Sequence, residues 1–214
     1  MHRSLVFAVS LAFAGLTVAA APQPPEVAAK HYLVIDLTSD KVLAERDADA
    51  PTDPASLTKL MTAYLVFGAI RDKKLTLEQT LLVSARAWAE RRGGGSLMFI
   101  DTTMTPKVDE LLRGMIVQSG NDASVALAEG VAGSLDQFVA MMNTQAAAWG
   151  LKSTHFKNVT GLSEAGHSST AREIASIATR IIRDFPDLYR YYSIPSYKYN
   201  NIAQPNRNRL LWTD

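Results

Sequence analysis

A serine and a lysine stand three residues apart in Pro54-Ala55-Ser56-Leu57-Thr58-Lys59-Leu60-Met61-Thr62, at the start of an apolar, helix-forming run. On a helix, side chains at i and i+3 are surface neighbours with Cβ atoms about 5–6 Å apart, so the Lys59 amine can fold back onto the Ser56 hydroxyl. That is a nucleophile with a base in reach. Pro54 suits the first turn of a helix, so Ser56 is expected within that turn, where backbone N–H groups lack intrahelical acceptors and the positive end of the helix dipole lies. An oxyanion forming on a carbonyl attacked there would be stabilised. Lys59 presents the difficulty. With a reference pKa of about 10.4 it is almost wholly protonated at neutral pH, and bringing it to about 7 takes roughly 4–5 kcal/mol of desolvation or cation repulsion. A single Ser-x-x-Lys also fits a helix start followed by a solvated lysine, so the surrounding residues must decide.

A second group, Ser119-Gly120-Asn121, lies in a tight link between two apolar helical patterns. It offers a hydroxyl that can shuttle a proton and an amide that can fix a substrate peptide group, and it fits equally a turn with an N-cap asparagine. Arg91-Arg92-Gly93-Gly94-Gly95-Ser96 is glycine-rich, but no Gly-Lys-Ser/Thr follows, which favours a loop over a phosphate cradle. His2, His31, His155 and His167 show no metal-ligand spacing and read as structural or surface residues. Neither a metal nor a cofactor is expected.

The elements that must position these groups follow from pattern. His31 to Leu37 and Lys41 to Arg46 are β-rich runs joined by Thr38-Ser39-Asp40, which predicts a hairpin. A polar loop from Asp47 to Asp53 delivers the chain to Pro54, and the helix beyond runs to about Ile70, apolar nearly all round and therefore buried. Burial suits desolvation of Lys59. Helical patterns follow from Lys107 to about Gln118 and from Asp122 to about Ala132. Ser134 to Gln137 is a capping box opening a helix that Gly150 stops, and Thr170 to Glu173 is another, leading an apolar stripe through Ile174, Ile177, Ile181 and Phe185. The stripe reads as core. Thr154 to Ser169 is a loop, and Ser196 to Trp212 reads as a short hairpin and a return toward the sheet.

Composition sets the class. The chain has 214 residues, 47% hydrophobic and 20% charged, as in ordinary globular proteins. A formal net charge of +1 and the lack of a basic block set nucleic acid aside as a partner. With no cysteine, disulfides, thiolate chemistry and lipid attachment through a lipobox are excluded. Met1-His2-Arg3, the apolar run Leu5 to Val18 and the small residues Val18-Ala19-Ala20 form a signal-peptide pattern, with cleavage expected after Ala20 and export to the periplasm or outer face of the cytoplasmic membrane. Pro22 to Pro25 begin an extended tether over 21–29, which leaves 30–214 as one, incomplete, domain.

Ser-x-x-Lys opening a buried helix, with Ser-x-Asn about 60 residues later between helices, is a joint pattern that resembles the penicillin-binding, active-site-serine enzymes. The chain is most similar to the low-molecular-mass penicillin-binding proteins, the D-alanyl-D-alanine carboxypeptidases of the bacterial cell envelope. The phrases that carry this are Asp53 to Thr62, Ser96-Leu-Met-Phe99, Leu111 to Ala123, Thr154-His-Phe156, Gly161-Leu162, Ser169-Thr-Ala-Arg172, Asn206-Arg-Asn208 and Leu210-Leu-Trp212. The resemblance implies an α/β (α+β) transpeptidase/β-lactamase-like fold, an antiparallel sheet flanked by helices. It implies that the penultimate D-Ala carbonyl of a peptidoglycan stem peptide ending in D-Ala-D-Ala acylates Ser56, and that β-lactams acylate it too. Lys59 would be the base, Ser119 the proton relay to the leaving amine, Asn121 the holder of the substrate backbone, and the Ser56 N–H one oxyanion donor. Family members often carry a second domain and a C-terminal anchor to the inner-membrane surface.

The sequence departs from the family in one respect that touches chemistry. No Lys-Thr/Ser-Gly triplet occurs in the 214 residues. In relatives it follows the region matching Leu210-Leu-Trp212, so the sequence reads as a catalytic domain cut short before the last strands. That lysine would lower the Lys59 pKa and bind the substrate carboxylate, and its strand would add an oxyanion donor, one of which is commonly worth about 10²–10³ in rate. Ala123, where relatives often have cysteine, touches no role. Two other functions compete. A β-lactamase would need a deacylating glutamate, for which Glu164 is the only candidate in the 154–170 loop, and a non-catalytic peptidoglycan-binding remnant would need no acylation of Ser56. A protein comprising only residues 21–214 is therefore expected to be poorly soluble and nearly inactive. Its release of D-Ala from a D-Ala-D-Ala peptide checks this, and release at a readily measured rate would contradict it.

Overall fold

A computed structural model describes residues 26–213; the expected signal peptide and the first residues of the tether lie outside them. The first strand pair is the expected hairpin. β1 (Tyr32–Asp36) runs antiparallel to β2 (Lys41–Arg46), with Tyr32 opposite Arg46 and Asp36 opposite Lys41. Its turn is made by Asp36, whose carboxylate accepts from the Thr38 N–H (2.9 Å) and the Ser39 hydroxyl (2.6 Å), and by Asp40 in the left-handed region (φ 54°). β3 (Ser196–Tyr199) and β4 (Ile202–Pro205) form a second antiparallel hairpin. Asn200 and Asn201 sit at its tip with φ of 44° and 63°, the conformation that asparagine tolerates best after glycine and that a two-residue hairpin turn needs. The two hairpins are separate two-stranded sheets, where sequence had suggested one sheet.

Helices fill the space between. α1 (Lys59–Arg71) is the central one, and its Met61, Ala63, Val66 and Phe67 are fully buried, as its nearly unbroken apolar sequence requires. The short α2 (Ala85–Ala89), capped by the Ser84 hydroxyl, has too few residues to show a period and was not legible as a helix. α3 (Val108–Val117), α4 (Asn121–Ala132), α5 (Leu135–Ala148) and α6 (Ala171–Asp184) follow within a residue or two of their sequence patterns. α7 (Pro186–Tyr189) is a single turn. α6 turns Ile174, Ile177 and Ile181 inward and is tied to the first hairpin by Arg172 with Glu45 and Asp49 and by Arg183 with Asp40. These exposed pairs orient the hairpin more than they stabilise it.

Both predicted capping boxes are only half made: Ser134 accepts from the Gln137 N–H (3.3 Å) with no return bond from the Gln137 side chain among the described residues. Thr170 accepts from the Glu173 N–H (3.1 Å), but the Glu173 carboxylate turns to the Ser153 N–H (3.1 Å) and the Thr154 hydroxyl (2.5 Å). It thereby fastens the 154–169 loop to the helix instead of closing the box. The loop is fixed again where Thr52 and Ser169 exchange backbone bonds of 2.8 and 3.0 Å and where His155 and Ser168 do the same at 2.9 and 3.0 Å. Burial around α1 carries the stability: Phe67 packs edge-on to Phe185 (ring centroids 5.7 Å apart) and stacks on Tyr191 (6.4 Å). Phe67→Ala is expected to cost about 3–5 kcal/mol of unfolding free energy, read by urea titration. A loss below about 1 kcal/mol would show that this cluster is not the centre of the core.

Candidate active site

Ser56 lies in a single 3₁₀ turn, Ala55–Thr58, that leads directly into α1, and Lys59 is the first α-helical residue. The turn is held from both sides. Asp53 accepts from the Ala55 N–H (3.0 Å), and Ala55 takes a left-handed φ of 45° that brings its carbonyl against Gly161. Gly161 itself has φ of 86°, and a Cβ there would lie 1.8 Å from the Ala55 oxygen, so only glycine fits. Asn158 shapes that neighbouring turn by accepting from the Thr160 and Gly161 N–H groups at 3.2 and 2.8 Å.

Three residues of the Ser56 segment grip the 157–161 strand of chain. The Lys59 Nζ donates to the Thr160 carbonyl (2.6 Å) and to Ser56 Oγ (3.3 Å), and the Thr62 hydroxyl donates to the Val159 carbonyl (3.0 Å). The third grip runs through His167, whose Nδ1 accepts from the Lys157 N–H at 3.1 Å, which places the ring proton on Nε2, 2.8 Å from the Thr58 hydroxyl. His167 is 5% exposed and is thus one of the structural histidines expected from sequence. Ser56 remains exposed while Lys59 is 6% exposed.

Burial is the main reason that the Lys59 ammonium is disfavoured, and its pKa is pushed down to about 8. Glu90 and Asp122 partly oppose this, and the nearby Arg207 cation assists it. A drop from 10.5 to about 8 corresponds to about 3 kcal/mol. Since the folded pKa is the lower one, the chain has its full stability from this group above about 10.5 and loses it as pH falls through about 8. At neutral pH Lys59 is still mostly protonated but holds its proton weakly, so the neutral amine that general-base chemistry requires is reached at little cost.

Ser119 also sits in left-handed backbone (φ 64°), between α3 and α4. Its hydroxyl is buried without a hydrogen-bond partner and lines, with Ser56 and Lys59, a cavity of about 130 Å³. Lys59 does not bond it directly, its amine being engaged by Ser56 and Thr160. Asn121 is the first residue of α4 and 3% exposed; its N–H donates to the Ser96 carbonyl (2.8 Å), and its amide lies against Gly95, where a Cβ would come within 2.2 Å of Nδ2. The glycine-rich loop thus packs against the candidate site residue. Ser56, Ser96, Asn121, Thr160 and Arg207 line one open cleft of about 610 Å³.

Sequence reasoning missed two contributors. Asp122, 2% exposed, accepts from the N–H groups of Met98, Phe99, Ile100 and Ala123 at 2.8–3.1 Å and so fixes the cleft wall. Its position after Ser119-Gly120-Asn121 was the available signal. Arg207, within the Asn206-Arg-Asn208 phrase, lines the cleft and forms no ion pair among the described residues. Glu164, the glutamate a β-lactamase reading would use, is exposed and accepts from the Asn158 side-chain amide (3.1 Å).

Comparison with known proteins gives the family and the fold. The profile of peptidase family S11, D-alanyl-D-alanine carboxypeptidase, matches residues 18–214. D-alanyl-D-alanine carboxypeptidase DacA of Escherichia coli is 45% identical over 194 residues, 89% of this chain and 48% of its own length. Penicillin binding protein 5 of Haemophilus influenzae superposes with a TM-score of 0.85 at 40% identity, covering 90% of this chain and 56% of that one. Penicillin binding protein 6B of Escherichia coli gives 0.84 at 42% identity, covering 91% and 62%. The chain spans about half the length of the curated relatives it matches.

The His167 contacts generate a pH prediction. Burial holds its pKa below 6.5, with Asp53 and Glu164 opposing and His155 assisting. A depressed folded pKa means that stability is complete above 6.5 and declines as pH falls from there through the folded value. His167→Gln is expected to flatten that part of the unfolding free energy against pH curve. An unchanged slope would contradict the neutral, Nε2-protonated ring.

Proposed function

The chain belongs to the D-alanyl-D-alanine carboxypeptidase family, and from that premise we propose that it carries the acylated serine of a serine-type enzyme that removes the terminal D-Ala from peptidoglycan stem peptides. Neutral Lys59 takes the Ser56 hydroxyl proton as Oγ adds to the penultimate D-Ala carbonyl. The oxyanion forms beside the Ser56 N–H, in the first turn of the element, where amides lack intrahelical acceptors. Collapse needs a proton on the departing D-Ala nitrogen. The buried, unpartnered Ser119 hydroxyl, in the same small cavity as Lys59, supports a relay from the Lys59 ammonium to that nitrogen. Water then attacks the ester with Lys59 again as base. The Asn121 amide binds the substrate peptide group, and the unpaired Arg207 guanidinium supplies a cation for its terminal carboxylate.

The observation that carries this proposal is a buried Lys59 amine 3.3 Å from an exposed Ser56 hydroxyl, with a pKa near 8 set by burial. The same machinery would open a β-lactam ring and retain the acyl group on Ser56. Export to the cell envelope, where such peptides occur, goes with this function and with the signal-peptide pattern of residues 1–20. The rate of penicillin labelling is expected to rise with pH through an apparent pKa of about 8 and then level, following loss of the Lys59 proton. Lys59→Arg, which cannot deprotonate in this range, should lower the rate by at least about 10³. A rate independent of pH between 6 and 9, or one that survives Lys59→Arg, would remove Lys59 from the role of base.

A further inference from the structure

The stretch 157–161 is tied to the rest of the fold by side chains. Among the described residues, none of its backbone groups bonds another backbone group. Asn158 serves the stretch from within, accepting from the Thr160 and Gly161 N–H groups, while the bonds to the Ser56 segment leave from Lys157, Val159 and Thr160. Two of these are direct, from the Thr62 hydroxyl and the Lys59 amine. The other reaches the Ser56 turn only through the His167 ring, whose Nδ1 accepts from the Lys157 N–H (3.1 Å) and whose Nε2 lies 2.8 Å from the Thr58 hydroxyl.

That bridge is buried at both ends. Thr58 is 0% exposed, and His167 packs edge-on to Phe156 with ring centroids 5.9 Å apart. Thr58 stands between Ser56 and Lys59, so fixing its hydroxyl fixes the turn that sets the amine 3.3 Å from Ser56 Oγ. The same stretch 157–161 supplies the other acceptor of that amine, the Thr160 carbonyl at 2.6 Å. If the stretch loosens, water reaches the ammonium, and hydration restores the hold on the proton that burial removes. Glu90, Asp122 and Arg207 act on Lys59 through charge and do not depend on the bridge. Asp53, Glu164 and His155 face the ring, and the Lys157 side chain lies against Gly166; none of these side chains hydrogen-bonds His167 among the described residues.

We propose that His167 is a positioning residue for the acylation of Ser56: through Thr58 it clamps the Ser56 turn to the 157–161 stretch and so keeps the Lys59 amine dry enough to act as a base. This rests on the carboxypeptidase function proposed above. The ring lines neither cavity that holds Ser56, so it acts through its two bonds alone. Glutamine offers the same pairing of one acceptor with one donor, whereas phenylalanine keeps a ring against Phe156 and offers neither.

The test is the pH profile of penicillin labelling of Ser56, from about pH 6 to 10, in the protein from its own cells and in variants made there. The unaltered protein is expected to show a midpoint of about 8. His167→Phe and Thr58→Val should each raise the midpoint by about one pH unit, so that labelling at pH 7 falls about tenfold while rates at pH 10 agree within about threefold. A loss of stability alone would not move the midpoint. The double variant should lose no more than either single one, because both remove the same bridge. His167→Gln should label within about threefold of the unaltered protein at pH 7. Thr58→Val removes only a hydroxyl, so it reads the bridge even where His167→Phe fails to fold. Midpoints unmoved in these two variants, a double variant that loses the product of the single losses, or a glutamine variant as slow as the phenylalanine one would overturn this inference and leave the carboxypeptidase proposal standing. No labelling of the unaltered protein at any pH would overturn both.

Discussion

Everything in the site depends on keeping one amine out of water. Lys59 is 6% exposed, and its Nζ spans the gap between Ser56 Oγ and the Thr160 carbonyl. An ammonium in that position loses hydration that two acceptors replace only in part, so the proton is held weakly. The cost is borne by the surrounding core, with Met61, Val66 and Phe67 on the same helix fully buried. A more exposed lysine would stabilise the protein and forfeit the base.

Rigidity around that amine comes from buried and half-buried polar groups. His167 joins Thr58 to the Lys157 backbone, Asp122 gathers the amides of the cleft wall, and Asn158 shapes the turn that brings Gly161 under Ala55. Each is hydrogen-bonded, and removing any one would leave a buried donor or acceptor without its partner, which costs more than the bond contributes net. Left-handed residues at Ala55, Phe99 and Ser119 all lie around the cleft. At these three positions the strained backbone aims side chains. Among the described residues burial lowers the Lys59 pKa first, and Arg207 contributes the assisting cation.

Local chemistry was legible in the sequence. The β-branched runs around Thr38-Ser39-Asp40 gave the first hairpin, the stripe from Ile174 to Phe185 gave α6, and the apolar run after Lys59 gave a buried α1. The pairing of Ser56 with Lys59 followed from helical spacing alone, although Ser56 lies in a 3₁₀ turn ahead of the α-helix. What escaped was long-range. Thr160 is 101 residues from Lys59, and His167 is 109 from Thr58, and no periodicity in one sequence announces such contacts. Asp122 stood beside a recognised motif, yet its four amide partners could be seen only in three dimensions. Strain at Ala55 and Phe99 was equally hidden, because neither residue type favours the conformation it adopts.

The most direct measurement is the intact mass of the protein, isolated from the cells that make it and as the 214-residue chain, before and after brief exposure to a penicillin. A burial-activated Ser56 predicts a one-to-one adduct that maps to Ser56 and disappears with Ser56→Ala. No adduct on the protein from its own cells, or one on another residue, would contradict it.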